Sequence, residues 1–194
     1  MLDKGILHGG DTLDAAREAK LESLEAQSSS ADERHQNAAQ KDLKAIKTLF
    51  SDLYKEKLER PLSEAQIGFH LSDEGFHFDF FESKGTELFD ASQNPKTALI
   101  KLLDIIAKMT AHIEYPLAVE AHVQAAPLVV KRPQDWTISS ARAGNVRVML
   151  QRLGVPETRI KRNTAHGDND PISDNPMAQQ NNRVSIVFLN LTKE

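Results

Sequence analysis

The chain has 194 residues, of which 40% are hydrophobic and 27% charged, with a net charge of −4 and no cysteine. That is enough apolar material for one core. The acidic balance argues against nonspecific binding to DNA or to anionic membranes. The absence of cysteine removes thiol catalysis, Cys-based zinc sites and disulfides. No run approaches the roughly 18 consecutive apolar residues of a membrane-spanning helix, and Met1-Leu2-Asp3-Lys4-Gly5 lacks the apolar core of a secretory signal.

Residues 1–36 are polar and charge-rich around Ser28-Ser29-Ser30, a composition that cannot offset its own ordering entropy, so they are expected to be a linker. A helix is expected over 37–62. Leu43, Ile46, Leu49, Phe50, Leu53 and Leu58 recur there at steps of three and four, and Pro61 marks the end. This apolar stripe would be exposed on a lone helix, which makes it a candidate dimer surface. A folded domain over 63–194 is expected to follow. It opens with a hairpin: Ile67, Phe69 and Leu71 alternate with polar or small residues, Ser72-Asp73-Glu74-Gly75 is a turn sequence, and Phe76, Phe78 and Phe80 alternate again. Pairing across that turn sets Phe69 opposite Phe78 and His70 opposite His77.

Next comes an amphipathic helix near 95–112, with Leu99, Leu102, Leu103, Ile106 and Met109 inward. A buried strand is expected at 117–123, a helix from Ser139 to Leu153 stopped by Gly154, a strand at 159–164 and a last strand at 183–189. The order β-β-α-β-α-β-β predicts an α+β two-layer sandwich: a mixed β-sheet with helices on one face, preceded by an N-terminal helix and linker.

Several residue groups could carry chemistry. Read as an N-cap, Ser139 puts Arg142 in the first helical turn, where a cation opposes the helix dipole but can join free N–H groups in binding a carboxylate. A solvated Arg142, or one paired with Asp135, is the plainer reading. His70, His77 and Asp79 could share a sheet face and hold a metal, but the solvated face of a hairpin explains them as well. His166-Gly167-Asp168-Asn169-Asp170 mimics a metal loop without the spacing of a calcium site and reads as a loop. No metal and no cofactor are expected. Ser139, His122 and Asp135 make a poor hydrolase triad without a nucleophile elbow, so no enzymatic activity is expected. Lys131, Arg132, Arg159, Lys161 and Arg162 are basic but carry no interleaved aromatics, so no nucleic-acid partner is expected.

Asp135-Trp136-Thr137-Ile138-Ser139-Ser140-Ala141-Arg142-Ala143 resembles the Asn-x-x-Leu-Ser-x-x-Arg-Ala motif of OmpA-like peptidoglycan-binding domains, and the Trp is most like flagellar stator proteins of the MotB type. Leu117 to Pro127 is similar to the family's Ile-x-Gly-His-Thr-Asp-x-x-Pro stretch, with His122 and Pro127 matching. Gly167-Asp168 with Pro171 resembles a family loop, and Asn181-Asn182-Arg183-Val184-Ser185-Ile186 resembles Asn-Arg-Arg-Val-x-Ile. The resemblance covers about 65–190. It implies non-catalytic anchoring to peptidoglycan, through the diaminopimelate of its peptide stem, with Arg142, Gln124, His122, Asp135, Ser139 and Arg183 as ligand-binding candidates. It also implies a motor stator protein that pairs with a MotA-type subunit through a membrane helix outside these residues, forms a homodimer, and places this part in the periplasm on the inner membrane. The alternative is an envelope scaffold of the same fold without a motor role, or a degenerate domain with weak peptidoglycan binding. The family's Asp, partner of the ligand ammonium, is Gln124 here. A neutral carbonyl replaces a charge at that position.

Overall fold

The computed structural model describes residues 20, 41, 43–55, 66–127 and 135–189. The expected linker over 1–36 therefore lies, apart from one residue, outside the described residues. The chain divides into two compact units, Met1–Lys44 and Ala45–Glu194, and the second carries the sheet and its helices.

Residues 43–55 are helical (α1). The strands are β1 (Ile67–Ser72), β2 (Gly75–Phe81), β3 (Leu117–His122), β4 (Ile160–Gly167) and β5 (Arg183–Leu189). Helix α2 (Thr97–Met109) joins β2 to β3, and α3 (Asp135–Arg152) joins β3 to β4. The described strands form one sheet in the order β1-β2-β5-β3-β4. Among them β3 and β4 run parallel, as a helical crossover requires, and the other neighbours are antiparallel. This is the expected mixed sheet of an α+β sandwich.

Alternation along the strands divides the sheet into an apolar and a polar face. Phe78 of β2 lies opposite Ile186 of β5, which lies opposite Val119 of β3. Phe76, Phe80, Val184, Phe188, Leu117 and Ala121 join them on the apolar face, and all are essentially inaccessible. Burying a Phe, Val or Leu side chain contributes roughly 1.5–3 kcal/mol, so this face dominates the energetics of folding. Helix α2 adds Leu99, Leu102, Leu103, Ile106 and Met109, all fully buried as the stripe predicted. Arg159 donates to the carbonyl oxygens of Thr110, Ile113 and Tyr115, which satisfies acceptors just beyond the end of α2. The first hairpin pairs as expected, with Phe69 opposite Phe78 and His70 opposite His77.

Three expectations are corrected. The apolar stripe of α1 is not fully exposed: Ile46 and Phe50 are buried, and the Phe50 ring packs 5.3 Å from Phe69 and 5.4 Å from Phe78, while Leu43, Leu49 and Leu53 stay part-exposed. Helix α3 begins no later than Asp135, so Ser139 is not its N-cap. Its hydroxyl donates back to the carbonyls of Asp135 and Trp136, the helical bonding habit of serine. Strand β4 continues through His166 and Gly167, which read as a loop in sequence because polar residues fill the exposed side of this edge strand.

Gly154 ends α3 as predicted. It has φ +99°, and Gly154 and Val155 donate to the carbonyls of Gln151 and Leu150. A Cβ added there meets nothing within 4 Å, so a substitution is penalised by the backbone alone. Gly154→Ala should therefore destabilise the domain by about 1–2 kcal/mol, measured by urea unfolding, with no change in the slope of the transition.

Candidate functional site

At the end of the sheet where β2 and β3 finish and β5 begins, a cavity of about 580 Å³ has Glu82, Phe89, Asp90, Gln124, Arg142 and Asn182 in its lining, together with Met177 and Gln179. Arg142 is the one cation in that lining. The residue sits inside α3, two turns from Asp135, and its side chain is buried rather than in a first turn open to solvent. The guanidinium lies 4.7 Å from the centre of the Phe89 ring, a cation–π contact. Its Nε donates to Gln93 Oε1 at 2.8 Å, and one terminal nitrogen donates to Asn182 Oδ1 at 3.4 Å. The other lies 3.7 Å from Glu82 Oε1. The predicted pairing of Arg142 with Asp135 is absent among the described contacts.

The chain around Arg142 is built to hold it. Asp90 accepts from the backbone N–H groups of Ser92 and Asn94 and closes a tight loop. Inside that loop Gln93 takes a left-handed conformation, φ 63°, uncommon for a residue other than glycine. It is held from both sides: its carbonyl accepts from Asn145 Nδ2 and its side chain accepts from Arg142. Gln124 follows β3. Its N–H donates to Asn182 Oδ1, and its Oε1 accepts from Asn182 Nδ2. Asn182 thus bridges Gln124 to Arg142.

Glu82 is almost fully buried and accepts from the Leu88 N–H. Burial pushes its carboxyl above the ordinary range, against the pull of Arg142 and the Leu88 hydrogen bond. Burial also pulls Arg142 down, opposed by Glu82. Desolvation therefore outweighs mutual attraction for both partners, so the pair is not a net source of stability. Strained and desolvated groups of this kind gather at binding sites, where folding stability is given up for function.

The other candidates are placed elsewhere. His122 points from β3 to the polar face of the sheet, where its ring stacks on His166 at 4.2 Å. Arg183 lies on the same face and donates to the backbone and carboxylate of Asp170. Ser139 is buried in α3, and its hydroxyl accepts from the Gly167 N–H. Asp135 is at the start of α3 and does not line the cavity. Of the six residues singled out in sequence, Arg142 and Gln124 meet at the cavity. Sequence reading missed Glu82 and Gln93. One is a lone acid after an aromatic strand, and the other sits in a polar loop, so neither carried a recognisable pattern. Asn181 is structural: its side chain binds the N–H groups of Ile172 and Ser173 and the carbonyls of Asn175 and Pro176. It thereby fixes the loop that brings Met177 to the cavity.

The OmpA family profile matches residues 80–185, more than half of the chain, and the chain belongs to the OmpA family. Its fold is similar to that of the periplasmic domain of Helicobacter pylori MotB, with a TM-score of 0.54, 18% identity, and coverage of 66% of this chain and 84% of that one. It is similar to the cell wall anchor of the type VI secretion system (T6SS) from Pseudomonas aeruginosa, with a TM-score of 0.54, 21% identity, and coverage of 75% and 97%. It is also similar to a MotB-like protein from Desulfovibrio vulgaris, with a TM-score of 0.53, 16% identity, and coverage of 77% and 97%. No curated protein matches the sequence.

The electrostatics of Glu82 give a test with a definite sign. A carboxyl whose folded pKa is raised contributes stability below the unfolded value of 4.5, and that contribution is lost as pH rises through the folded value. Glu82→Gln should therefore unfold at the same temperature as wild type or higher at pH 7.5. The difference should disappear near pH 4, where Glu82 is protonated. Calorimetry at the two pH values measures both quantities, and a loss of several degrees at pH 7.5 would show that the pair stabilises the fold.

Proposed function

We propose that this domain anchors a membrane protein to peptidoglycan by holding the diaminopimelate end of a peptide stem at Arg142. The observation that carries this reading is a buried guanidinium at the edge of an open cavity, held largely by neutral amides. Gln93 and Asn182 are acceptors that a ligand carboxylate can replace with a stronger, charge-assisted bond. The ligand's ammonium would be drawn by Glu82, Glu87 and Asp90, the three carboxylates that share the cavity lining with this one guanidinium. Gln124 offers it a neutral carbonyl. The role is binding, with no catalytic step and no cofactor.

By resemblance, the parent protein is a MotB-like stator subunit, periplasmic in this part and attached to the inner membrane. It would work as a homodimer with a MotA-type partner. A second reading, an envelope anchor without a motor role, is supported by the comparable likeness to the secretion-system anchor of Pseudomonas aeruginosa.

Gln124→Asp should tighten binding to a diaminopimelate-containing muropeptide by roughly tenfold, because a neutral partner becomes a charged one. A gain of this kind cannot come from misfolding. Arg142→Lys keeps the charge but loses the planar fork, and should weaken binding by about tenfold or more. Calorimetric titration of both variants with the muropeptide measures these effects. If wild type binds and neither substitution changes the affinity, the ligand does not sit in this cavity. The motor reading has its own test: fused behind the membrane segment of a MotB-type protein, this domain should restore swimming to a strain lacking that protein. Arg142→Lys should reduce the rescue, and failure of the wild-type fusion would favour the scaffold reading.

A further inference from the structure

The polar face of the sheet, opposite the helices, is not a plain solvated surface. His77, Asp79, Glu120, His122, Arg183 and Ser185 are all buried on it. They fall into two clusters that differ in how completely their polar atoms are used. In the first, His70 Nδ1 is 2.9 Å from Asp79 Oδ2, Ser185 hydrogen bonds to the other Asp79 oxygen, and His77 Nε2 is 2.7 Å from Ser72 Oγ. This cluster is satisfied internally.

The second cluster, Glu120, His122 and His166, is not. His122 Nδ1 and His166 Nε2 are both shielded from solvent and have no hydrogen-bond partner. The nearest acidic atoms are Asp170 Oδ2, 3.8 Å from His122 Nδ1, and Glu120 Oε2, 3.6 Å from His166 Nε2. A buried polar atom without a partner is costly, and two in contacting residues call for a missing group. One ligand atom from each of Glu120, His122 and His166 lies within 4.8 Å of the others.

We infer that Glu120, His122 and His166 form a binding site for a divalent transition metal ion of the zinc class, clamping the ends of β3 and β4. The donor set is two imidazole nitrogens and a carboxylate oxygen, a common set for such ions. Two ligands of a tetrahedral zinc ion stand about 3.4 Å apart, close to the 3.6 Å between Glu120 and His166. The imidazoles are parallel, 8° between planes, so their lone pairs converge only when one ring tilts. His166 has a half-buried side chain at the sheet edge and can make that movement, whereas His122 is fixed inside.

The surroundings favour a cation. Arg162 binds Glu120 Oε1, leaving Oε2 for the ion, and its other bonds go to Glu74. Arg183 is occupied by Asp170, whose Oδ2 lies 3.8 Å from His122 Nδ1. Both guanidiniums are thus paired, and three carboxylates face two positive charges. This orientation of ligands by outer partners is typical of metal sites. The sequence alone predicts no metal, because it places His166 in a loop and not beside His122.

Titration of the metal-free chain with zinc chloride, followed by calorimetry, tests this. Saturable binding of one ion is expected, weakened at least tenfold in His166→Gln and unchanged in His70→Gln. Cobalt should give the visible bands of a tetrahedral site in wild type and lose them in His166→Gln. The absence of saturable binding in wild type overturns the proposal. So does equal affinity in His166→Gln, or a loss found in His70→Gln instead. Thermal unfolding without metal shows whether each variant is folded. Should His166→Gln not fold, the His122 and His166 imidazole resonances of wild type carry the test, since both must shift on adding zinc. None of these outcomes depends on peptidoglycan binding.

Discussion

Burial of the Arg142 guanidinium is the constraint around which this end of the domain is arranged. A charge inside a helix, facing the end of a sheet, needs an aromatic surface, a counter-charge and hydrogen-bond acceptors. Phe89, Glu82, Gln93 and Asn182 supply them from three separate stretches of chain. Meeting that need fixes the loop after β2, the left-handed turn at Gln93 and the start of β5 relative to α3. The cavity is the space left when these requirements are met. Its binding capacity and its strain therefore have one origin.

A second layer of constraint runs through Gly167. Its left-handed backbone, φ 58°, ends β4, and the Trp136 indole approaches to within 3.4 Å of where a side chain would begin. Its N–H donates to Ser139 and its carbonyl accepts from Val123. Ser139 and Gly167 thus couple α3 to the strand ends on either side. The Asp-Trp-x-x-Ser-x-x-Arg-Ala stretch works as a unit: Trp136 and Ser139 seat the helix, and Arg142 reaches the cavity one turn further on.

Much of the fold was legible in the sequence because period and composition agreed. Alternating Phe76, Phe78 and Phe80 could be only a strand with one buried face, and the Leu99-to-Met109 stripe only a helix. The register of the first hairpin followed from its turn. The start of α3 was misread because Ser139 has the chemistry of a cap, and the bond it makes to Gly167, 28 residues away, leaves no local trace. The site was half legible. Arg142 and Gln124 stood out through a motif, whereas Glu82 and Gln93 matter only because a third residue, distant in sequence, is buried against them. The polar face was least legible of all. The His70–His77 pair followed from the hairpin, but His122 and His166 meet only because the sheet order places β3 beside β4.

That sheet order has a consequence for how the domain is made. β5, the last strand in the chain, lies between β2 and β3. Until residues 183–189 are available, β1-β2 and β3-β4 are separate pairs with no shared edge. Each presents an apolar face and an open strand, both invitations to association with other chains. The pairing of Phe76 with Phe188 closes a loop of more than one hundred residues, which makes it slow on the scale of local events. Synthesis from the N-terminus therefore delivers the keystone last, and the emerging chain has to be kept from its neighbours until its final strand arrives.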